Sequence, residues 1–245
     1  PYDCLSLSVV LKANGPIEKK IVGSVVEALV ADQAAPEDFA RLFEIFENPS
    51  LQMASFTITE KGYSIYDGKG ELLSVVESGF NDQPENQQHL MGRVAALCYR
   101  RFKTCKAPIA LSSMDNCSHN GDKLKAGVMA FVDAWVKNGI VEKEFADYMN
   151  DENQVSFPWS MIDKITPRPD ENVKKMLEKD GFEDTDLIIT NRNTYTSPFV
   201  NSEETGYLVI EDKFPNGRPP IDKAGILFTD RETVDKVEKM KVCTC

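Results

Sequence analysis

The stretch APIALSSMDNCSHNGDKLKAGVMAFVDAWVKNGI, residues 107–140, decides the fold class because a strand, a polar loop and a helix follow one another in it. Its opening APIALSS is the kind of short apolar run that forms a buried strand. The run DKLKAGVMAFVDAWVKNGI repeats apolar residues at helical spacing and stops at Asn138-Gly139, a pair that favours helix ends. A strand that leads into a helix through a polar loop is the repeating unit of α/β folds.

Strands and helices continue to alternate on both sides of this stretch. Extended segments are predicted for LSLSVVLK (5–12), KKIVGSVVEAL (19–29), LQMASFTIT (51–59), QVSFPWSMIDKITP (154–167), LIIT (187–190), GYLVIED (206–212) and AGILFT (224–229). Helices are predicted for PEDFARLFEIF (36–46), NQQHLMGRVAALCYRRFK (86–103), EKEFADYMND (142–151), PDENVKKMLEKDGF (169–182) and DRETVDKVEKMKV (230–242). This order predicts an α/β domain with a mainly parallel sheet, in which ligands lie beyond the carboxyl ends of the strands.

The chain is acidic overall, with 28 Lys and Arg against 39 Asp and Glu and a net charge of −11. Because a basic face is needed to neutralise phosphates, binding to nucleic acid or to an anionic membrane is not expected. No apolar run reaches the ~18 residues of a membrane-spanning helix. The six Cys form no CxxC, and the two His lie away from the terminal CTC (243–245), so we expect a soluble, cytoplasmic protein with reduced thiols and no metal site.

Polar side chains follow the strand at 107–113, at the sheet edge where ligands are expected. Asp115, Asn116, His119 and Asn120 lie in the loop SSMDNCSHNG (112–121), and their amides could bind an oxygen atom of a substrate. The alternative is an Asx-rich turn that only caps the following helix. Spacing alone favours the turn.

Two further stretches place charged groups among apolar residues. In FPWSMIDKITP (157–167), residue types alone favour alternating surface charge as the explanation of Asp163 and Lys164. In VEKMKVCTC (237–245), Glu238 and Lys241 share a helix face, which by default is a solvated ion pair worth a few tenths of a kcal/mol, roughly. The alternative is a partly desolvated lysine that acts as a general base, a role that requires a lysine pKa of about 7 to 8 instead of ~10.4.

The motifs TITEKGY (57–63), MDNCSHNG (114–121), FPWSMIDKITP and EKMK (238–241) occur in an order that resembles the long-chain mannitol dehydrogenase family. The resemblance covers essentially the whole chain. It implies a Rossmann-like, mainly parallel NAD-binding α/β domain, incomplete at its N-terminus, in residues 1–229. Residues 230–245 would be the first helix of a mostly helical C-terminal substrate domain. Since the family's glycine-rich fingerprint and a second oxyanion amide are missing, truncation at both ends is expected.

The resemblance also implies a reaction and a set of site residues. Family members use NAD or NADP and no metal to interconvert a secondary alcohol of a polyol or aldonate with the corresponding ketone. By motif, Lys241 would be the general base, Glu238 would gate proton exchange with solvent, and Asn116 would stabilise the developing oxyanion. The residues that would lie near the cofactor are Ile162, Asp163 and Glu60.

The insert VNSEETGYLVIEDKFPNGRPP (200–220) resembles the hexuronate branch of the family. The expected small-molecule substrates are therefore D-mannonate and D-fructuronate, and the alternative pair is mannitol and fructose. The competing hypothesis from another class is a non-catalytic α/β fragment that serves in interaction.

Overall fold

The computed structural model describes residues 4–12, 14–164, 166–190, 195–204 and 206–244. The chain forms two compact units, a smaller one from Pro1–Ala28 and Asp163–Gly206 and a larger one from Leu29–Ile162 and Tyr207–Cys245. The strands are β1 (Ser6–Leu11), β2 (Glu18–Val22), β3 (Met53–Phe56), β4 (Ile109–Ser113), β5 (Val155–Ser156), β6 (Ser160–Asp163), β7 (Ile188–Ile189), β8 (Tyr195–Thr196), β9 (Phe199–Glu203), β10 (Tyr207–Glu211) and β11 (Leu227–Thr229). The α-helices are α1 (Pro36–Glu47), α2 (Thr59–Gly62), α3 (Ser74–Phe80), α4 (Leu90–Thr104), α5 (Asn120–Lys137), α6 (Lys143–Asn150), α7 (Glu171–Lys179) and α8 (Arg231–Thr244). None of the helices within these ranges has both the length and the apolar character needed to cross a membrane.

The larger unit is built on the parallel sheet β3-β4-β5. All residues of β4 are buried, as expected for the central strand of a parallel sheet. Helices α4, α5 and α6 share one apolar core with this sheet, and the largest fully buried side chains in it include Trp135, Phe131 and Phe145. Parallel strands that alternate with helices confirm the predicted fold class. Because Phe56 pairs with Ser113, the carboxyl ends of β3 and β4 meet, and so do the loops that follow them.

Most predicted helices are present, with shifts at their starts. The helix α4 begins at Leu90 rather than Asn86, because the His89 side chain accepts a hydrogen bond from the Met91 N–H and caps the helix. The helix α5 begins at Asn120, ahead of the predicted Asp122. The short helices α2 and α3 were not predicted, since neither is long enough to show a full apolar period.

Arg101, near the end of α4, is a core residue rather than a solvated member of a basic last turn. Its side chain is fully buried at 0% exposure. The guanidinium donates hydrogen bonds to the carbonyl oxygens of Phe46, Asn48, Leu51, Ala107 and Pro108. These contacts join the end of α1 to the segments that lead into β3 and β4.

The smaller unit has β1 at its centre, paired antiparallel with β2 and parallel with β9. Apolar residues of β1 and β9 pack against Val173 and Leu177 of α7. The predicted strand 19–29 is only partly right, because β2 ends at Val22 and no described strand pairs with residues 23–29. A β-branched run forms a strand only where another strand offers hydrogen bonds. A hairpin of β7 and β8 completes the described strands of this unit.

The third sheet has the order β11-β10-β6 and adjoins α8. Asp230 caps α8 by accepting a hydrogen bond of 2.8 Å from the Thr233 N–H. Val234 of α8 is buried in a small cluster with Trp159, Met161 and Val209. These contacts fix α8 within the larger unit. The domain boundary between 229 and 230 remains a prediction.

Gly121, in the first turn of α5, lies against the chain between β5 and β6. A Cβ atom there would stand 2.5 Å from the carbonyl oxygen of Phe157 and 3.0 Å from that of Pro158. Since both are backbone atoms, we expect Gly121→Ala to lower the free energy of unfolding by about 1–3 kcal/mol. Urea unfolding measures the loss, with Gly68→Ala as the control because a Cβ there meets nothing within 4 Å. Equal stability of the two variants would contradict this close approach.

Candidate functional site

Asp115 connects the loop after β4 to the loop after β3. Its carboxylate accepts hydrogen bonds from the backbone N–H of Ile58 (2.8 Å) and of Thr59 (3.0 Å), and from the Tyr63 hydroxyl. Thr59 has φ 65°, a conformation that is rare for a β-branched residue and needs such support. Burial, together with the Asp115 hydrogen bond, raises the pKa of Tyr63, so the hydroxyl stays protonated and donates. Asp115 therefore fixes the loop that carries Asn116.

Asn120 and Ser160 belong to the framework beneath this loop. The Asn120 side chain is fully buried and donates 3.0 Å hydrogen bonds to the carbonyl oxygens of Asp115 and Ser160. Its own oxygen accepts from the Ser160 N–H at 3.0 Å. Since both side chains are engaged by the protein, they position the loop after β4 against β6 and do not face a substrate.

Lys241 and Asn116 are brought together although they lie far apart in the sequence. The Lys241 ammonium donates a 3.1 Å hydrogen bond to Asn116 Oδ1 and a 2.7 Å hydrogen bond to the carbonyl oxygen of Ile162. Lys241 is half-buried, whereas Asn116 is exposed. An ammonium and a carboxamide thus lie side by side at the carboxyl edge of the sheet, within reach of solvent.

Glu238 lies one turn before Lys241 on α8, and it is not a solvated carboxylate. Only 7% of the residue is exposed. One carboxylate oxygen accepts a hydrogen bond from the Ser118 hydroxyl, and the other accepts from the His119 N–H at 3.2 Å. The default interpretation placed this glutamate in a solvated ion pair. It is wrong on solvation, because the Glu238 side chain is buried.

His119 stacks on Trp159, with ring centroids 4.2 Å apart. The Arg231 guanidinium also contacts this indole, at 4.9 Å from a ring centroid of Trp159. The imidazole Nε2 is 3.7 Å from Asp235 Oδ1. A hydrogen bond from Lys239 holds the pKa of the Asp235 carboxyl below its usual range. Residue types drew attention to His119 but gave no sign of these neighbours.

Ser118 was not predicted as a site residue. No local pattern marks it, because its partner is a glutamate far away in the sequence. Only the tertiary structure, which brings the loop against α8, identifies Ser118 as a partner of Glu238.

Glu60, a predicted cofactor residue, is exposed and forms a 2.6 Å ion pair with Lys123. The hydrogen bond from Lys123 holds the pKa of the Glu60 carboxyl below its usual range. Both residues line a cavity of about 680 Å³ together with Tyr63, Met129 and Asp133. Asp163, the other predicted carboxylate, ends β6 and belongs to the smaller unit. The cofactor roles of Glu60, Ile162 and Asp163 remain predictions.

Across the described ranges, no three His, Cys, Asp or Glu side chains come together as a metal site. The side chains of Cys243 and Cys245, which form the terminal CTC motif, lie outside the described residues. The described cysteines Cys4, Cys98, Cys105 and Cys117 are free thiols.

Known proteins resemble this chain in sequence, and solved structures resemble it in fold. The chain is 53% identical over its full length to the D-mannonate oxidoreductase of Thermotoga maritima, of which it spans 45%. It is 28% identical over 94% of its length to a polyol:NADP oxidoreductase of Gluconobacter oxydans, of which it spans 43%. The chain thus spans about half the length of the curated relatives it matches.

Two solved structures have the same fold. Mannitol 2-dehydrogenase of Pseudomonas fluorescens, in a ternary complex with NAD and D-mannitol, matches with a TM-score of 0.75 and 28% identity over 98% of this chain and 44% of that one. A D-sorbitol dehydrogenase in substrate-free form matches with a TM-score of 0.74 and 25% identity over 94% of this chain and 43% of that one.

A family model described as the mannitol dehydrogenase Rossmann domain matches residues 2–223. The family predicted from the motifs is thereby confirmed, and so is the Rossmann-like fold. The chain belongs to the mannitol dehydrogenase family, as its Rossmann domain.

Proposed function

We propose that residues 1–245 form part of an NAD-dependent oxidoreductase that interconverts D-mannonate and D-fructuronate. The 53% identity to a D-mannonate oxidoreductase supports this substrate pair over mannitol and fructose, since the mannitol 2-dehydrogenases among the relatives are 29–30% identical. We further propose that the protein works in the cytoplasm on small-molecule substrates, in keeping with the free thiols of the described cysteines.

One observation carries the proposed chemistry: the Lys241 ammonium is 3.1 Å from the Asn116 amide oxygen. Oxidation of an alcohol needs a group that takes the hydroxyl proton and a group that stabilises charge on the same oxygen. A lysine and a carboxamide in contact, at the edge of the sheet where ligands bind in this fold class, supply both.

The residues at this edge fit the nicotinamide end of NAD. The exposed Asn116 amide and the Ile162 carbonyl oxygen are neutral hydrogen-bonding groups, which suit a carboxamide and a ribose hydroxyl. By motif, Ile162 and Asp163 would hold that end, and Glu60 would lie near it. The sequence contains no GxGxxG loop of the kind that cradles a pyrophosphate, so the proposed contacts concern the nicotinamide end alone.

NAD, when bound, supplies the acceptor for the hydride of the alcohol carbon. Lys241, as the neutral amine, takes the hydroxyl proton, so that the loss of one hydride and one proton leaves a ketone. Asn116 donates from its amide Nδ2–H to the oxygen on which negative charge develops. One such donor contributes about 3 kcal/mol to the stabilisation of the transition state. By motif, Glu238 would gate the exchange of that proton with solvent.

The proposal predicts a strong preference between two ketone substrates. The complete polypeptide that contains residues 1–245 should reduce fructuronate with NADH at a kcat/KM at least about 10²-fold above that for fructose, because a site built to bind a carboxylate rejects an analogue that lacks it. Steady-state NADH oxidation with each substrate measures the ratio. A preference for fructose would favour the mannitol alternative, and no turnover with either would favour a non-catalytic fragment.

A further inference from the structure

The cavity of about 680 Å³ beside Glu60 and Lys123 is large enough to hold a sugar acid. It lies in the larger unit and is lined by residues 60–66, which follow β3, and by the helix α5. Ala126 and Met129 contribute apolar surface, and the carboxylates in the lining are those of Glu60 and Asp133. Among the described residues that line the cavity, Lys123 is the only cation. An anionic group that enters the cavity therefore has one positively charged partner there.

Lys123 lies in the cavity wall with N–H donors left for a ligand. Its side chain is 36% exposed, whereas that of Glu60, its partner at 2.6 Å, is 70% exposed. The hydrogen bond to Glu60 raises the pKa of the Lys123 ammonium, so the group stays charged near pH 7. An ammonium has three N–H donors, and Glu60, its hydrogen-bond partner among the described residues, takes one of them. Since an exposed ion pair contributes little to stability, a second carboxylate can share or replace this contact.

Lys123 also lies near the proposed reaction site. Its partner Glu60 directly follows a residue whose backbone N–H donates to Asp115 at 3.0 Å, and Asp115 precedes Asn116. The ammonium also interacts electrostatically with Glu238 on α8, the helix that carries the proposed base. Because Lys123 belongs to the first turn of α5, the helix dipole favours an anion beside it. An anionic group bound by Lys123 therefore lies close to the loop that carries the oxyanion donor.

We propose that Lys123 binds the carboxylate of the sugar acid and thereby selects D-fructuronate over fructose. The inference deepens the proposed function and rests on it. In fructuronate the reacting ketone and the carboxylate stand near opposite ends of the carbon chain, so the carboxylate needs a partner other than Lys241 and Asn116. An ammonium in the half-buried wall supplies that partner through a charge-assisted hydrogen bond, and fructose has no carboxylate to accept it. Lys123 acts in binding and takes no part in the transfer of hydride or proton.

The test compares the reduction of fructuronate and of fructose with NADH in the complete polypeptide carrying Lys123→Met, Lys123→Arg or no substitution. Methionine keeps the apolar stem but loses the charge, so kcat/KM for fructuronate should fall about 10- to 100-fold, mainly through KM. With fructose, kcat/KM should change by less than about twofold, because uniform binding of a carboxylate plays no part there. Lys123→Arg should keep most of the preference, since a guanidinium also donates to a carboxylate.

Lys125→Met is the matched control, because it makes the same chemical change two residues later on α5. The Lys125 ammonium lies 5.9 Å from the ring centroid of Phe157, and this residue does not line the cavity. Its loss should leave the kinetics with both substrates unchanged. An equal loss with both substrates in Lys123→Met would assign Lys123 a structural role, and a rise in the KM for NADH alone would assign it to the cofactor. Either result would overturn the inference.

A binding measurement separates the inference from the proposed reaction. Calorimetric titration of the complete polypeptide with D-mannonate in the presence of NADH allows no hydride transfer, and Lys123→Met should raise the Kd about 10- to 100-fold. An unchanged Kd together with an unchanged KM for fructuronate would overturn the assignment of Lys123. If Lys241→Ala still lost turnover in that case, the proposed function would stand and only the inference would fall. If the unsubstituted polypeptide did not reduce fructuronate at all, the proposed function itself would fail.

Discussion

Lys241→Ala is expected to reduce the turnover of fructuronate with NADH by about 10²- to 10⁴-fold, the range that a positioned general acid or base contributes. In this direction Lys241 gives its proton to the ketone oxygen as hydride arrives. The substitution removes the group that hydrogen-bonds Asn116 and the Ile162 carbonyl, so both the proton and the alignment of the amide are lost. The effect should appear in kcat as well as kcat/KM, because the proton moves only in the transition state.

Lys236→Ala is the matched control for this experiment. Lys236 lies on the same helix, but it is exposed and forms only a surface ion pair with Glu232 at 2.7 Å. Its loss should change turnover by less than about twofold, since such pairs are worth ~0.5 kcal/mol. Both variants should unfold at a similar urea concentration. A folded Lys241→Ala variant with wild-type turnover would rule out Lys241 as the acid and base.

The regular elements could largely be predicted from the sequence because their signal is local. Apolar residues at helical spacing identified α5, a proline at the start and a glycine at the end identified α7, and a short apolar run identified β4. The failure at residues 23–29 has a different origin. That stretch has the composition of a strand, but a strand also requires a partner, and partners are decided by the tertiary structure. Local patterns therefore predict which segments can be strands and not which of them pair.

The candidate site could be predicted only in part. Lys241 and Asn116 were assigned by resemblance to family motifs, and from spacing alone Lys241 was an ordinary surface lysine. The two hydrogen bonds to Glu238 escaped prediction because one donor is a backbone N–H, whose direction depends on the left-handed conformation of His119. For Glu60, the motif predicts a place near the cofactor, a role that remains a prediction, but it gave no sign of the ion pair with Lys123. Side-chain partners from distant segments are not encoded in any single stretch.

Arg101→Met is expected to lower the free energy of unfolding by more than about 3 kcal/mol. This loss is larger than the one expected for Gly121→Ala. Methionine fills a similar volume but donates no hydrogen bond, so five buried or half-buried carbonyl oxygens lose a donor. Three of them keep another partner, because Asn48, Leu51 and Ala107 also accept from the Leu51 N–H, Asn216 and Tyr148 respectively. The carbonyl oxygens of Phe46 and Pro108 depend more heavily on Arg101.

The neighbouring Arg100 offers the control, because Arg100→Met makes the same chemical change one residue earlier on α4. Arg100 is exposed and pairs with Glu47 at the surface, an interaction worth ~1 kcal/mol or less. Arg101→Lys should fall between the two variants, since a single ammonium keeps the charge but cannot reach acceptors on both sides as the guanidinium does. Urea unfolding of the three variants tests this order. If Arg101→Met lost no more stability than Arg100→Met, the guanidinium would not be what joins α1 to the β3-β4-β5 sheet, and apolar packing of α4 would have to do so alone.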